Sequence, residues 1–385
     1  MNDDALQARA GRYVRQSGGY RAFLPAPLPP EPPVLIQGRL QEILSAADRA
    51  LGRLDGSIQT LPNPDLFVAM YVRKEAVLSS QIEGTQSSLQ DLLAAEARLL
   101  TPGTPDDVDE VFNYVRAMNY GLKRLDELPV SSRLIREIHA ELMQGVRGAH
   151  LTPGEFRRSQ NWIGPSGCTL REATFVPPPP SEVGRMVSEL EHFLHSNASE
   201  LPLLARVGLA HAQFETIHPF LDGNGRVGRL LITFLLCEQE VLRKPVLYLS
   251  HYFKRYRAGY YQALQEVRDL GRWEEWLQFF LQGVYEVSEQ ATETARRILE
   301  MRERHRTLIT ECFGRAAGSG HRVLEYLYEY PIVSVRQIQE FNATTYPAAN
   351  NLVRQFEKNG ILEEYTGQRR NRRFIYADYI HLFSD

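Results

Sequence analysis

His218-Pro219-Phe220-Leu221-Asp222-Gly223-Asn224-Gly225-Arg226-Val227-Gly228-Arg229 joins two apolar stretches of helical pattern, Leu204 to Ile217 before it and Leu230 to Leu236 after it. It carries an imidazole, a carboxylate, a carboxamide, two guanidiniums and three glycines. That mixture is too polar and too glycine-rich for a core segment, so the pattern predicts a polar loop held between two buried helices. Glycines at 223, 225 and 228 let the backbone approach an anion closely. With Gly223-Asn224-Gly225 opening a helix, unpaired N–H groups and the positive end of the helix dipole converge on one spot, as in a phosphate cradle. Asp222 beside it suits a Mg²⁺ ion, which takes one or two carboxylates and completes its shell with substrate oxygens and water. Arg226 and Arg229 are three apart, share a helix face and can clamp a polyphosphate. His218, with an ordinary pKa of about 6.5, is the candidate general base. Taken singly, each residue has a blander role: His218-Pro219 ends a helix, Asp222 caps one, Gly228 lets helices pack. Their joint occurrence in one short segment favours phosphoryl or nucleotidyl transfer to a nucleophile that His218 deprotonates.

The chain of 385 residues is long enough for two or three domains with their own cores. Its composition, 43% hydrophobic and 24% charged, is that of an ordinary globular protein, and a formal net charge of −3 neither requires nor excludes nucleic acid. Cys168, Cys237 and Cys312 are odd in number and far apart, which suits a reducing compartment and offers no disulfide or metal framework. The first thirty residues lack an apolar signal core, and Leu230–Cys237 is too short to cross a bilayer. A cytoplasmic location without a membrane partner is the expectation.

The predicted fold class is mainly α: an all-helical core with a small β-hairpin flap, followed by a C-terminal winged helix-turn-helix. Residues 1–33, rich in proline from Pro25 to Pro33, read as an extended arm. Helices are expected over 34–56, 64–78 and 89–100, the last two interrupted at Ser79–Thr85, where Gly84 would cost an interior helix about 1 kcal/mol relative to alanine. Thr101–Pro105 reads as a linker. Further helices are expected over 107–126, 132–146, 181–197, 201–217, 225–238, 254–268 and 273–298. Short β-type runs at Asn161–Gly164 and Ala173–Val176 predict a hairpin. At the C-terminus, a helix over 321–329, then 335–341 and 345–358, then strands 361–365 and 373–376 around Gly367 make a helix-turn-helix with a two-stranded wing. The domain division is 1–105 (arm and N-terminal helices), 106–300 (core) and 301–385 (linker helix and winged helix).

At every fixed position, residues 218–229 match the Fic signature, histidine-x-phenylalanine-x-Asp/Glu-Gly-Asn-Gly-Arg-x-x-Arg. Gly154-Glu155-Phe156-Arg157, Asn161–Gly164, Tyr260-Tyr261 and Trp273–Leu281 also resemble segments of that family, and the resemblance covers about residues 20–285. It implies transfer of AMP from ATP to a Tyr, Ser or Thr hydroxyl of a target protein, or of the chain itself, with release of pyrophosphate. His218 would be the base, Asp222 the Mg²⁺ ligand, and Phe220 an anchor in the core. Asn224 with the Gly223 and Gly225 backbone would hold the α-phosphate, and Arg226 and Arg229 the outer phosphates. Ser79-x-x-x-Glu83-Gly84 matches the family's inhibitory motif, which implies that Glu83 pairs with Arg229 and removes it from the γ-phosphate. Ser79, one turn before Glu83, is placed to hydrogen-bond the Glu83 carboxylate.

The hairpin, through Ile163, Gly164, Thr174, Phe175 and Val176, is expected to take up a target segment by strand addition. Tyr260 and Tyr261 are candidates for the adenine pocket. Arg369-Arg370-Asn371-Arg372-Arg373 at the wing tip makes DNA a candidate partner for residues 319–385, and a homodimer is the expected assembly. Alternative readings are a DNA-binding regulator whose helical core senses nucleotide, an enzyme using another phosphate-containing donor, and one that removes AMP.

Overall fold

The most apolar segments of the chain become its innermost helices. The computed structural model describes residues 8–61, 64–97, 105, 107–146, 148, 150–165, 167–196 and 201–384. Helices α7 (Leu203–Ile217) and α8 (Asn224–Glu238) are buried on almost every face, as expected of helices without a polar side. Around them stand α4 (Val108–Arg124), α5 (Ser132–Leu142), α6 (Pro180–His195), α9 (Ser250–Arg255) and α10 (Arg257–Leu270). Small residues set two of the closest approaches. Gly121 of α4 faces the Phe234 ring, and Gly208 of α7 faces Leu277 and Phe280, with Trp276 Nε1 donating to the Gly208 carbonyl at 2.8 Å.

A long helix, α11 (Trp273–Cys312), forms the spine, and α1 (Arg39–Gln59) lies along it through Leu40, Leu44, Ala47, Leu51, Leu54 and Ile58. The helix expected to end near 298 continues because its apolar stripe continues, through Ile298, Met301, His305 and Ile309. The division expected at 300 therefore falls inside one continuous helix. The linker expected at 101–105 lies outside the described residues except for Pro105. One apolar cluster runs from Val34 to Phe383, so the described helices N-terminal and C-terminal to the central loop share a core.

Helix α2 (Pro64–Ile82) crosses the molecule and is followed by α3 (Leu89–Glu96), which opens with a capping box between Ser88 and Asp91. Tyr71 Oη of α2 donates to the Ala291 carbonyl of α11 at 3.0 Å, and the buried Glu75 accepts from Tyr114 Oη and the Ser250 amide, each at 3.1 Å. Gly84 takes a φ of 104°, which turns the chain out of the helix just after Glu83.

Two β features differ from expectation. Residues 1–33 are not simply an extended arm: β1 (Gly11–Arg15) and β2 (Arg21–Pro25) pair antiparallel, with Tyr13 opposite Phe23. The prolines begin only at the end of β2, so they terminate this hairpin rather than forbid it. Arg9 anchors it with a two-armed ion pair to Glu274, at 3.1 and 3.0 Å. The hairpin expected over 161–176 shrinks to a single bridge between Ile163 and Phe175.

After α11, α12 (Ala317–Glu329), β3 (Ile332–Ser334), α13 (Val335–Phe341), α14 (Tyr346–Lys358), β4 (Glu363–Glu364) and β5 (Arg373–Ile375) follow, closed by α15 (Ala377–His381). The three strands form an antiparallel sheet in the order β3-β5-β4, one strand more than the expected two. Among the described residues no helix is long and apolar enough to cross a membrane.

Gly121→Ala is expected to destabilise the chain by about 1–2 kcal/mol. The added methyl would overlap the buried Phe234 ring, and that overpacking outweighs the roughly 1 kcal/mol gained by replacing a helical glycine. Chemical denaturation of both proteins measures it, and a more stable variant would contradict the packing described.

Candidate active site

The loop between α7 and α8 is held by its carbonyl groups. Arg157 donates from Nε to the His218 carbonyl at 2.9 Å and from Nη2 to those of Ile217 and Pro178, at 3.3 and 2.6 Å, while its own amide donates to the Pro219 carbonyl at 2.9 Å. Asn161 Nδ2 reaches the Phe220 carbonyl at 2.8 Å and the His218 carbonyl at 3.4 Å. His139 Nε2 donates to the Asp222 carbonyl at 3.1 Å and its Nδ1 accepts from the Gly154 amide at 2.8 Å, which fixes the tautomer. The same imidazole lies flat on the Phe220 ring, with centroids 3.7 Å apart. Beyond this clamp lies the start of α8. The first α-helical bond there is Val227 N–H to the Gly223 carbonyl at 3.0 Å, so the amides of Asn224, Gly225 and Arg226 have no acceptor within the helix.

His218 caps α7 in the left-handed conformation, φ 49° and ψ 60°, and is partly buried. Burial pushes its imidazole down to about 3, and the Arg268 and Arg157 guanidiniums add to the shift. The ring is therefore neutral at physiological pH, the form that accepts a proton. Asp222 Oδ1 accepts from the Gly223 amide at 2.7 Å, and Oδ2 lies beside Gly148, which has no room for a side chain.

Two residues expected to touch a ligand are occupied within the protein. Asn224 Oδ1 accepts from the Phe220 amide at 2.8 Å and Nδ2 donates to the Phe220 carbonyl at 2.9 Å, so its carboxamide closes the loop on itself. Arg226 is buried against Glu110 at 3.0 Å, with Met143 Sδ at 3.6 Å from its other arm. Gly223 and Gly225 stay where the sequence puts them, on the backbone of the α8 start.

Arg229 meets the end of α2. Its Nε donates to Ser79 Oγ at 2.8 Å, and Nη2 donates to the Ser79 carbonyl at 3.0 Å and to Glu83 Oε1 at 2.7 Å. The Arg229 side chain is 2% exposed and that of Glu83 32%. Ser79 thus binds the arginine rather than the Glu83 carboxylate. A Cβ on Gly225 would overlap Glu83 Oε1, so the carboxylate rests against the first turn of α8, next to its free amides. Burial acts to raise the Glu83 carboxyl, but Arg229, with Arg226 and His218, outweighs it and the group is lowered.

Tyr260 and Tyr261 part company. Tyr260 is buried, its ring stacked on Phe253 at 4.5 Å and its hydroxyl 2.9 Å from His211 Nε2, which leaves no face for a base. Tyr261 is 41% exposed, within the field of Glu83 and Arg229. In the flap, Phe175 and Val176 are buried. The Val176 carbonyl accepts from the Phe23 amide at 2.9 Å, so the strand edge expected to be open there is covered by β2. Trp162, Gly164 and Thr174 remain exposed on the other side of the Ile163 bridge.

Sequence reasoning missed His139, Glu110, Glu215 and Arg268. The first carried a signal: His139 interrupts the apolar stripe Leu134, Ile135, Ile138, Leu142 of α5, and a polar residue on a core stripe needs a buried partner. Arg268 sits over the Phe175 ring at 4.0 Å and donates to the Glu215 carbonyl at 3.2 Å, joining flap to α7. The Glu215 carboxyl is buried, with Oε1 lacking a partner, and burial lifts it to about 7.

Two family profiles match this chain: the Fic/DOC family N-terminal region over residues 41–123 and the Fic/DOC family over 129–236. A protein adenylyltransferase Fic of Drosophila virilis is 33% identical over 162 residues, covering 40% of this chain and 30% of its own length. That of Drosophila yakuba is 29% identical over 211 residues, covering 52% and 39%. The chain thus spans about a third of the length of these curated relatives. Among solved structures, a Fic family protein from Desulfovibrio desulfuricans G20 superposes with a TM-score of 0.60 at 19% identity, covering 89% of this chain and 97% of that one. A Fic domain containing signaling protein from Bacteroides thetaiotaomicron superposes at 0.51 and 17% identity, covering 67% and 97%.

Acid should destabilise the fold. Burial lowers His139 to about 4 and His211 and His218 to about 3. Below about pH 6.5 the unfolded chain takes up protons that these folded imidazoles refuse, so their contribution is full above that pH and is lost as pH falls toward 4. Glu75 and Glu215, both lifted to about 7 by burial, act oppositely between about pH 7 and 4.5, but they are fewer. The melting temperature is expected to be about one to two degrees lower at pH 5 than at pH 7, and a clearly higher value would contradict neutral burial of the histidines.

Proposed function

Residues 41–123 and 129–236 belong to the Fic/DOC family, and from that premise we propose that the chain is an autoinhibited protein adenylyltransferase. It transfers AMP from ATP to a Tyr, Ser or Thr hydroxyl of a target protein or of itself. One observation carries the reading: Glu83 holds Arg229 beside the free amides of the α8 start, within a loop that also presents His218. A carboxylate at that spot supports the reading of an anion site that Glu83 occupies.

In the reaction, neutral His218 takes the proton of the target hydroxyl while its oxygen attacks the α-phosphorus. The bond from that phosphorus to the oxygen bridging the β-phosphate breaks, and pyrophosphate leaves. No protein nucleophile is formed, so rate comes from positioning and from neutralising phosphate charge. The amides of Asn224, Gly225 and Arg226 would face the phosphates, and Arg229, once free of Glu83, would take the outer ones. Arg226 and Asn224 act as positioning residues, through Glu110 and the Phe220 backbone. The negative triphosphate would also offset Arg268 and Arg157 around His218 and so restore part of its basicity.

Asp222 would hold a Mg²⁺ ion, which takes one or two protein carboxylates. Its partly exposed carboxylate keeps Oδ2 free of the Gly223 amide, and no group of three or more His, Cys, Asp or Glu residues among the described ones builds a closed metal cage. Such an ion would supply further neutralisation of phosphate charge.

Glu83→Gly is expected to raise AMP incorporation at least tenfold over wild type, measured with α-³²P-ATP and lysate protein, and Glu83→Gly/His218→Ala to return it to background. Equal labelling by wild type and Glu83→Gly would sink the inhibitory role of Glu83, and labelling by the double variant would sink His218 as base.

A further inference from the structure

The C-terminal unit is electrically balanced in sequence but not in space. Basic and acidic residues of 319–385 are equal in number, yet five of the arginines gather in one place while Glu325 and Glu364 are engaged elsewhere. Glu325 pairs with Arg302 of α11 at 2.7 Å, and Glu364 folds into its own turn, accepting from the amides of Thr366 and Gly367 at 3.1 and 2.8 Å. The arginines converge instead on a cleft of about 630 Å³ between the start of α13, the outer face of α14 and the β4–β5 turn. Arg336, Tyr346, Asn350, Arg369, Arg370 and Arg372 line it. Of these, Arg336 pairs with exposed Glu340 at 3.1 Å, whereas Arg369 and Arg370 have no hydrogen-bond or ion-pair partner among the described residues.

From this cleft we propose that the C-terminal unit binds duplex DNA, with α14 in the major groove and the β4–β5 turn on the phosphate backbone. Helix α14 buries Ala349, Leu352, Val353 and Phe356 and turns Tyr346, Asn350, Arg354 and Lys358 outward on one face, with the partly exposed Glu357 among them and Asn351 beside them. A single helix is what a major groove of about 12 Å width admits. Asn350, Asn351 and Arg354 have no hydrogen-bond partners among the described residues, and asparagine and arginine are the side chains that bond two-armed to adenine and guanine edges. The turn arginines are suited to phosphates, which position a protein without reading sequence. Tyr346 is the one aromatic lining the cleft, whereas single-stranded nucleic acid is held by successive stacking platforms.

The test is fluorescence anisotropy of the full chain with a labelled mixed-sequence duplex at 50 to 200 mM KCl. Micromolar binding at 50 mM is expected, weakening steeply with salt. The Arg369→Ala/Arg370→Ala/Arg372→Ala variant, changed on an exposed turn, should bind at least tenfold more weakly, with a salt slope shallower by about 2–3. Asn350→Ala/Asn351→Ala should keep the slope and lose discrimination among duplexes selected from a random pool. His218→Ala should bind like wild type, which separates this proposal from the transfer chemistry. No binding at 50 mM, an unchanged triple variant that melts like wild type, or tighter binding of polyuridylate or polyglutamate than of duplex would overturn it.

Discussion

A guanidinium buried to 2% exposure must have acceptors, and Arg229 finds all of its own at the end of one helix. Removing one partner of a buried pair commonly costs about 3–5 kcal/mol, because the remaining charge is stranded away from water. Ser79 supplies two neutral acceptors and Glu83 the negative charge, so α2 has to arrive at the α8 start with its last turn facing inward. The rest of α2 serves that arrival. Glu75 is gripped by Tyr114 and Ser250, and Tyr71 by the Ala291 carbonyl, one helical turn apart along the same buried face. In the proposed reaction, a phosphate and the Glu83 carboxylate would be alternative neutralisers of one cation. The same electrostatic need that holds the fold together would then make the site exclusive.

The loop solves a second problem. A histidine at φ 49° carries strain of about 1–3 kcal/mol, which persists only where surroundings over-determine it. Here Arg157, Asn161 and His139 tie down carbonyls on both sides of it, and Asn224 closes the loop from within. Both outcomes follow from that clamp: His218 is held near the α8 amides, and those amides are left unpaired. Arg157 remains charged, although burial lowers it to about 10, and burial of His218, aided by Arg268 and Arg157, keeps the imidazole neutral.

The helical class and the central loop were legible because they rest on local pattern: apolar periodicity on α7 and α8, and glycines at a helix start. Pairing of Ser79, Glu83 and Arg229 was legible through a motif, though the target of the Ser79 hydroxyl was not. What escaped was long-range. Arg226 looks like a ligand clamp until Glu110, on another helix, is seen to hold it, and Asn224 looks like a phosphate ligand until its carboxamide folds back on Phe220. The β1–β2 hairpin was masked by the prolines that follow it, although Tyr13, Val14, Ala22 and Phe23 favour strands. Its docking on Val176 then covered a strand edge that the flap alone would leave open. Tyr260 failed for the opposite reason, since an aromatic on a helix reads alike whether it lines a pocket or fills a core.

Helix α2 also connects the site to the far end of the chain. Phe67 packs on Tyr328 of α12 at 4.9 Å, and Tyr71 meets Phe383 edge-on at 5.2 Å, just beyond α15. Lys254 of α9 adds a bond to Gln81 Oε1 at 2.7 Å, two residues before Glu83. One continuous helix thus carries both sets of contacts. The C-terminal unit is therefore mounted on the very element that presents Ser79 and Glu83 to Arg229.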